Sequence, residues 1–304
     1  MDLSLSDDQR QILEAIDGLS KPFASVPLHD TSFALSSDAL DAELGEGGFL
    51  DVMAMEELGP VTAALVVERL ARLPFAVEAG ASALVRPLLD PELPRPVCLV
   101  EEGPMQQPVR FLRPGTTVVV VSDDVRSFTA EAEHVAGLGS EVLFAYPMAR
   151  LIGLPPTMRT HEVDAGTVRM HWRIALAAEA AGLLAAALAS TVTYVSERKQ
   201  FGRPLATFQA LRHRLAEAQV LTNGCYWLAL KAAGTLDPGD AALAALHAQD
   251  AAKRVTYDFH QFLGGMGMTL EHPLHLWTYR LKALTAELGG RGEQALAAAE
   301  AHWS

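Results

Sequence analysis

Arg198-Lys199-Gln200-Phe201-Gly202-Arg203-Pro204-Leu205 is the stretch on which the reading of this chain turns. A guanidinium stands beside a glycine turn, and a second glycine-rich turn, Gln261-Phe262-Leu263-Gly264-Gly265-Met266-Gly267, follows downstream. Such a pair lets charge and backbone amides converge without side chains in the way, as a polyphosphate ligand requires. From Arg198 to Arg214 the chain carries Arg198, Lys199, Arg203, Arg212, Arg214 and His213 and no acidic residue, inside a protein of formal net charge −13. Each turn alone has a plainer reading: basic side chains complement the dipole at the end of a long helix, and glycines after a helix form a C-cap.

Working outward, helical periodicity runs through residues 168–197, 207–234 and 240–262, with the turn Asp237-Pro238-Gly239 between the last two and Asp240 as the expected N-cap. A shorter helix is expected after Pro273 and another after Gly292. Three long helices with short connections plus a shorter fourth predict an antiparallel four-helix bundle. Upstream, Ser6-x-x-Gln9 reads as a capping box for a helix that ends at Lys21-Pro22, and further helices are expected over 49–58, stopped by Gly59-Pro60, and over 62–72 and 75–89. From Pro91 to Pro156 the character changes to prolines, glycines and β-branched runs such as Thr116-Thr117-Val118-Val119-Val120-Val121. The expected fold is therefore mainly α with a small central β unit, in three parts: a helical domain over 1–90, a reduced β domain over 91–160 and a helical bundle over 161–304.

The chain has 304 residues, half of them hydrophobic, so a substantial core is expected. The acidic balance argues against a general nucleic-acid binder, which needs a basic face. Cys98 and Cys225 stand far apart with no metal spacing, which suggests reduced thiols, no metal site and a cytoplasmic setting. The opening Met1-Asp2-Leu3-Ser4-Leu5-Ser6-Asp7-Asp8 lacks the cationic start of a secretory signal. Residues 174–195 are apolar enough to raise a membrane span, but they include Glu179 and are largely alanine, so a buried bundle helix is expected.

The combined order Glu197-Arg198-x-x-Phe201-Gly202-x-Pro204-Leu205-x-x-Phe208-Gln209, then Leu215-Ala216-Glu217, then Gln261 and its glycines, then Thr269-x-Glu271-His272-Pro273, resembles the C-terminal bundle of acyl-CoA dehydrogenases. The first helix and Glu56-Glu57-Leu58-Gly59 resemble the family's N-terminal helical domain. The resemblance implies α,β-desaturation of an acyl-CoA thioester, in which a carboxylate takes the α-proton, FAD accepts hydride from the β-carbon and electrons pass to an electron-transfer flavoprotein. It implies that Arg198 reaches the FAD pyrophosphate across a subunit boundary, that Phe201 and its loop pack on the cofactor, and that Gln261, Gly264 and Gly265 approach the adenosine side. Gln209 is a weaker addition.

Two departures shape the expectation. The family's flavin-ring segments, a Thr-Glu-Pro-x-Ala-Gly-Ser-type loop and a Trp-Ile-Thr-type strand, have no counterpart between Pro91 and Pro156, where Val100-Glu101-Glu102-Gly103-Pro104 is the nearest remnant. The family's base sits either on the helix before Arg-x-x-Phe-Gly, here Trp172, or after the final bundle helix, where Glu287 is two residues out of register and lacks the following Gly-Thr. Glu287 is thus either a displaced base or an exposed helix-end carboxylate, Trp172 is expected to fill the substrate pocket, Glu271 reads as structural, and His272 and His275 as hydrogen-bonded turn residues. A chain that keeps the donated half of the FAD site without base or ring platform resembles the short subunit of heteromeric α₂β₂ acyl-CoA dehydrogenases that shorten steroid side chains. The expected partners are a longer catalytic chain, acyl-CoA and the electron-transfer flavoprotein. The alternatives are a homomeric dehydrogenase using Glu287 and a flavin-free structural or regulatory subunit.

Overall fold

The Ser6 hydroxyl accepts from the Gln9 N–H and the Gln9 side chain accepts from the Ser6 N–H. This reciprocal capping box opens α1 (Asp7–Ser20). The computed structural model describes residues 4–26, 32–103, 108–138 and 143–303, so Met1, Asp2, Leu3 and Pro104 of the stretches quoted above lie outside the described residues. Residues 49–58 do not form the expected helix; they make turns and one 3₁₀ turn at Val52–Ala54. The helix lies earlier, as α2 (Asp38–Glu46), where the Ser37 hydroxyl accepts from the Leu40 N–H. Gly59-Pro60 opens α3 (Gly59–Ala71) rather than closing a helix, because proline's fixed φ and missing N–H suit a first helical turn. In place of one helix over 75–89 there is an extended lead-in followed by α4 (Gly80–Leu84) and α5 (Arg86–Leu89); Pro87 forbids a continuous rod.

The β unit comprises β1 (Val97–Glu101), β2 (Pro108–Arg110), β3 (Thr117–Val121), β4 (Val125–Thr129), β5 (Val135–Gly137), β6 (Met148–Leu151) and β7 (Arg159–His161). One sheet has the order β1-β3-β4-β7, with β1 parallel to β3 and the other pairs antiparallel. The other is antiparallel β2-β6-β5. Every residue of β3 is buried. Val118 and Val120 pack with Cys98, Ala149 and Leu151 toward the second sheet, while Val119 and Val121 pack with Val85, Val97 and Val168 on the helical side. A strand covered on both faces explains the continuous valine run, which shows no alternation.

Asp164 caps α6 (Ala165–Glu197), and the chain continues through a hairpin of β8 (Lys199–Gln200) and β9 (Arg203–Pro204) into α7 (Gln209–Thr235), α8 (Pro238–Leu263), α9 (Leu274–Leu284) and α10 (Gly290–Trp303). The N-cap of α8 is Asp237, not Asp240: the Asp237 carboxylate accepts from the Asp240 N–H, with Pro238 filling the first helical position. Asp240 instead accepts from Lys231 and Thr235. The helices α6, α7, α8 and α9 form the bundle, with α10 laid along α8. Among the described residues α6 is the one helix long and apolar enough to cross a membrane, and 78% of its most apolar window is buried. Its neighbours include α3, α4, α7, α8 and α9.

Alanine and glycine let these helices approach closely. At Gly182 an added Cβ would lie 2.1 Å from the Glu68 carbonyl oxygen of α3. Arg280 of α9 is 2% exposed, and its guanidinium donates to the carbonyls of Leu73, Phe75 and Leu276, which fastens the extended 73–79 segment to the bundle. Burial pushes its pKa down to about 10. Cys98 and Cys225 are free and buried, and burial raises both thiols, Cys225 to about 12. The α3–α6 contact predicts that Gly182→Ala lowers the unfolding free energy by about 1–3 kcal/mol. Gly18→Ala on α1, where a Cβ meets nothing within 4 Å, should be neutral or stabilising by up to about 1 kcal/mol. Denaturant titration of both variants checks the pair.

Candidate functional site

The end of α6 builds one side of the first site. Arg198 leaves the helix in extended conformation, its N–H donating to Tyr194, and the Leu205 N–H returns to the Arg198 carbonyl. Gln200 pairs with Arg203 across the hairpin, so Phe201 and Gly202 form a two-residue loop at φ 54° and 79°. Both central residues are left-handed, the twist a tight hairpin needs, and at Phe201 this conformation is strained. On the other side α8 ends at Leu263, and Gly264 turns the chain at φ 59°. The Gly267 carbonyl is 2.7 Å from His260 Nδ1, and His260 Nε2 is 2.9 Å from Thr278 Oγ1 of α9.

These two ends enclose a hollow of about 610 Å³, lined by Tyr194, Arg198, Gln200, Gln261, Gly264 and Gly265 among others. Four of the residues singled out in the sequence, Arg198, Gln261, Gly264 and Gly265, therefore meet in one place. Phe201 and Gln209 do not line it. Phe201 sits at the hairpin tip, 86% exposed and 6.0 Å from the Phe208 ring, and Gln209 is exposed on the first turn of α7 beside His213. Among the described residues Arg198, Lys199, Arg203 and Arg212 form no ion pair, whereas Arg214 is paired with Asp258 and Glu217. The region thus presents uncompensated positive charge. At Gly265 an added Cβ would meet nothing within 4 Å, so that face is open to a ligand. An unpaired guanidinium, two amide side chains and an open glycine turn fit one end of a dinucleotide.

A separate cavity of about 570 Å³ lies between the β unit and the bundle and shares no lining residue with the first hollow. Trp172 and Glu287, the two positions considered for a base, meet there: Trp172 Nε1 donates to Glu287 Oε2 at 3.1 Å. Trp172 is one wall of the cavity and does not fill it. Glu287 is not an exposed helix-end carboxylate, since its side chain is 19% exposed and Oε1 accepts from Arg110 Nε. Arg110 Nη1 also donates to both oxygens of Glu179 at 3.0 Å, and the Tyr146 hydroxyl donates to Glu179 at 2.6 Å. Burial works against the Arg110 charge, but the two carboxylates outweigh it and hold the guanidinium pKa well above its ordinary value. Burial and the Glu179 charge push the Tyr146 phenol well up. Glu287 reaches the cavity from a turn in which Leu288, Gly289 and Gly290 all have positive φ, held by Gln249 donating to the Leu284 and Glu287 carbonyls and Gln294 to that of Leu288. Sequence reasoning missed Arg110, Glu179 and Tyr146 as site residues; an arginine and a glutamate inside otherwise apolar segments were the available signal.

His272 and His275 are hydrogen-bonded turn residues, with Leu274 N–H donating to His272 Nδ1 and His275 Nδ1 3.1 Å from the His272 carbonyl. Glu271 is exposed.

Residues 165–301 match the family described as acyl-CoA dehydrogenase, C-terminal domain. Residues 165–301 are thus similar to the C-terminal bundle of acyl-CoA dehydrogenases. It is 36% identical over 156 residues to FadE34 of Mycobacterium tuberculosis, covering 49% of this chain and only 22% of that relative. It is 29% identical over 278 residues to IpdE2 of Mycolicibacterium smegmatis, covering 84% of this chain and 88% of the relative. Among solved structures it superposes on the ChsE4–ChsE5 complex from Mycobacterium tuberculosis with TM-score 0.77 at 18% identity, covering 100% of both chains. It superposes on a variant of the Tcur3481–Tcur3483 steroid ACAD with TM-score 0.76 at 21% identity, covering 98% of each. The fold is that of acyl-CoA dehydrogenases.

Two predictions arise from the site. Arg110→Met leaves two carboxylates at one buried place without their cation and should destabilise the chain by about 3–5 kcal/mol in denaturant unfolding at neutral pH. Burial holds His260 and His272 below their ordinary value of 6.5. The unfolded chain therefore binds protons first, and stability is lost as pH falls below about 6.5. Between about pH 7.5 and pH 5.5, His260→Gln should lose less unfolding free energy than the parent chain.

Proposed function

We propose that this chain is a subunit of a heteromeric, FAD-dependent acyl-CoA dehydrogenase and completes the cofactor site of a longer catalytic chain. The observation that carries this reading is the convergence of Arg198, Gln261, Gly264 and Gly265 on a hollow to which the chain's own β unit contributes nothing. A dinucleotide held there needs another chain for its flavin end. Arg198 would hold the pyrophosphate and Gln261 and the Gly264–Gly265 turn would approach the adenosine, while Phe201 and Gln209, which lie outside the hollow, would meet only the part of the cofactor that the longer chain holds. When bound, FAD supplies the hydride acceptor for α,β-desaturation of an acyl-CoA thioester, with an electron-transfer flavoprotein as the proposed final carrier. The α-proton would go to a carboxylate of the longer chain.

The likeness to the ChsE4–ChsE5 complex supports a two-chain assembly, and the likeness to a steroid ACAD supports a steroid side-chain CoA ester as substrate. The competing reading, a homomeric enzyme with Glu287 as base, draws on the entry of that carboxylate into the cavity beside Trp172. Glu287 is held by Arg110 and Trp172 as a counter-ion of the charge cluster, a role in positioning rather than in proton transfer. In the assembled complex, Arg198→Gln should weaken FAD retention about tenfold or more while leaving the oligomer intact on a sizing column. Unchanged FAD occupancy would remove Arg198 from the cofactor site, and Glu287→Gln should leave turnover unchanged.

A further inference from the structure

The cavity between the β unit and the bundle is separate from the hollow built around Arg198, and its lining gives it a chemistry of its own. Most of its wall is apolar, with Leu99, Val109, Phe144, Met148, Leu176 and Trp172 prominent, and its volume of about 570 Å³ lies in the range of small-molecule sites. Polar groups converge at one end, where Glu179 and Glu287 bracket the single guanidinium of Arg110. Two carboxylates about one cation leave that end with an excess negative charge. Arg110 is the one cation among the described lining residues, and the further acids Glu78, Glu101 and Glu102 also line the cavity. Glu101 and Glu102 are paired outside it with Arg169 and Arg126. The next buried cation, Arg280, donates to the carbonyls of Leu73, Phe75 and Leu276 and does not line the space; its charge reaches Glu179 from behind, while the lining acid Glu78 forms no ion pair among the described residues, so the lining keeps more acid than base.

The hydrogen-bond inventory sharpens the requirement. Arg110 uses Nε and Nη1, and among the described residues Nη2 makes no hydrogen bond. Each carboxylate has about four acceptor directions, and Glu287 is seen to accept from two donors. A hydroxyl group can accept from Nη2 and donate to a carboxylate at once. A carboxylate or phosphate would bring a third anion to a site with one cation.

We propose that this cavity binds a neutral, largely apolar molecule bearing a hydroxyl group, seated with its oxygen at Arg110 and its hydrocarbon against Trp172 and the β unit, and that it discriminates against anionic ligands. The proposal does not rest on the flavin half-site and is tested without flavin. Isothermal titration of the full chain at neutral pH with 2-naphthol and, separately, 2-naphthoate compares a neutral alcohol with a carboxylate of closely similar size. The alcohol should bind with a stoichiometry of one and at least about tenfold more tightly than the carboxylate. Glu287→Gln, which removes the excess charge, should bring the two affinities to within a few-fold. Equal or tighter binding of 2-naphthoate by the parent chain, or no binding of 2-naphthol up to its solubility limit, overturns the proposal even if the variant fails to fold.

Discussion

One guanidinium ties the parts of this protein together. Arg110 stands on β2, Glu179 on the central bundle helix and Glu287 on the turn after α9, so the charge cluster joins the β unit to the bundle at two points. A buried ion cluster gives little net stability over apolar packing, yet removing one member leaves charges without partners. Its effect here is geometric. It sets the spacing between sheet and bundle, holds Glu287 inside, and leaves a cavity walled by Trp172.

Much of the architecture was legible because local chemistry specifies it. The Ser6–Gln9 capping box, the Ala-rich rod of α6, the turn at Asp237 and the valine run of β3 each follow from a short-range rule that the fold obeys. Errors arose where one signal has two meanings. Gly59-Pro60 reads as a stop in the sequence, although proline serves equally as a helix start, and the glycines after Asp38–Glu46 mask that helix. Asp240 and Asp237 are both plausible caps, and Pro238 decides between them.

At the site the division is similar. Arg198 and the Gln261 turn were legible because each sits at a helix end with glycines nearby, and the bundle brings the two ends together. Phe201 and Gln209 share the motif but face elsewhere, since a two-residue loop throws its tip outward and the first turn of α7 is exposed. Of the Arg110 cluster only Glu287 and the isolated charges inside apolar segments were legible, not their meeting in one place. Its members come from distant parts of the chain, and no periodicity couples a strand arginine to a carboxylate after the last bundle helices.

Two separated spaces follow from this construction: an uncompensated basic hollow between the ends of α6 and α8, and an acidic, largely apolar cavity between the β unit and the bundle. The first suits an anionic cofactor shared with another chain, and the second does not suit that cofactor. The most direct test of this division is the flavin absorbance per protein mass of the chain purified alone and purified with a longer acyl-CoA dehydrogenase chain. The account predicts flavin only in the co-purified complex, near one FAD per pair of chains. Stoichiometric flavin on the isolated chain would contradict it, because the cavity beside Trp172 would then be holding the ring.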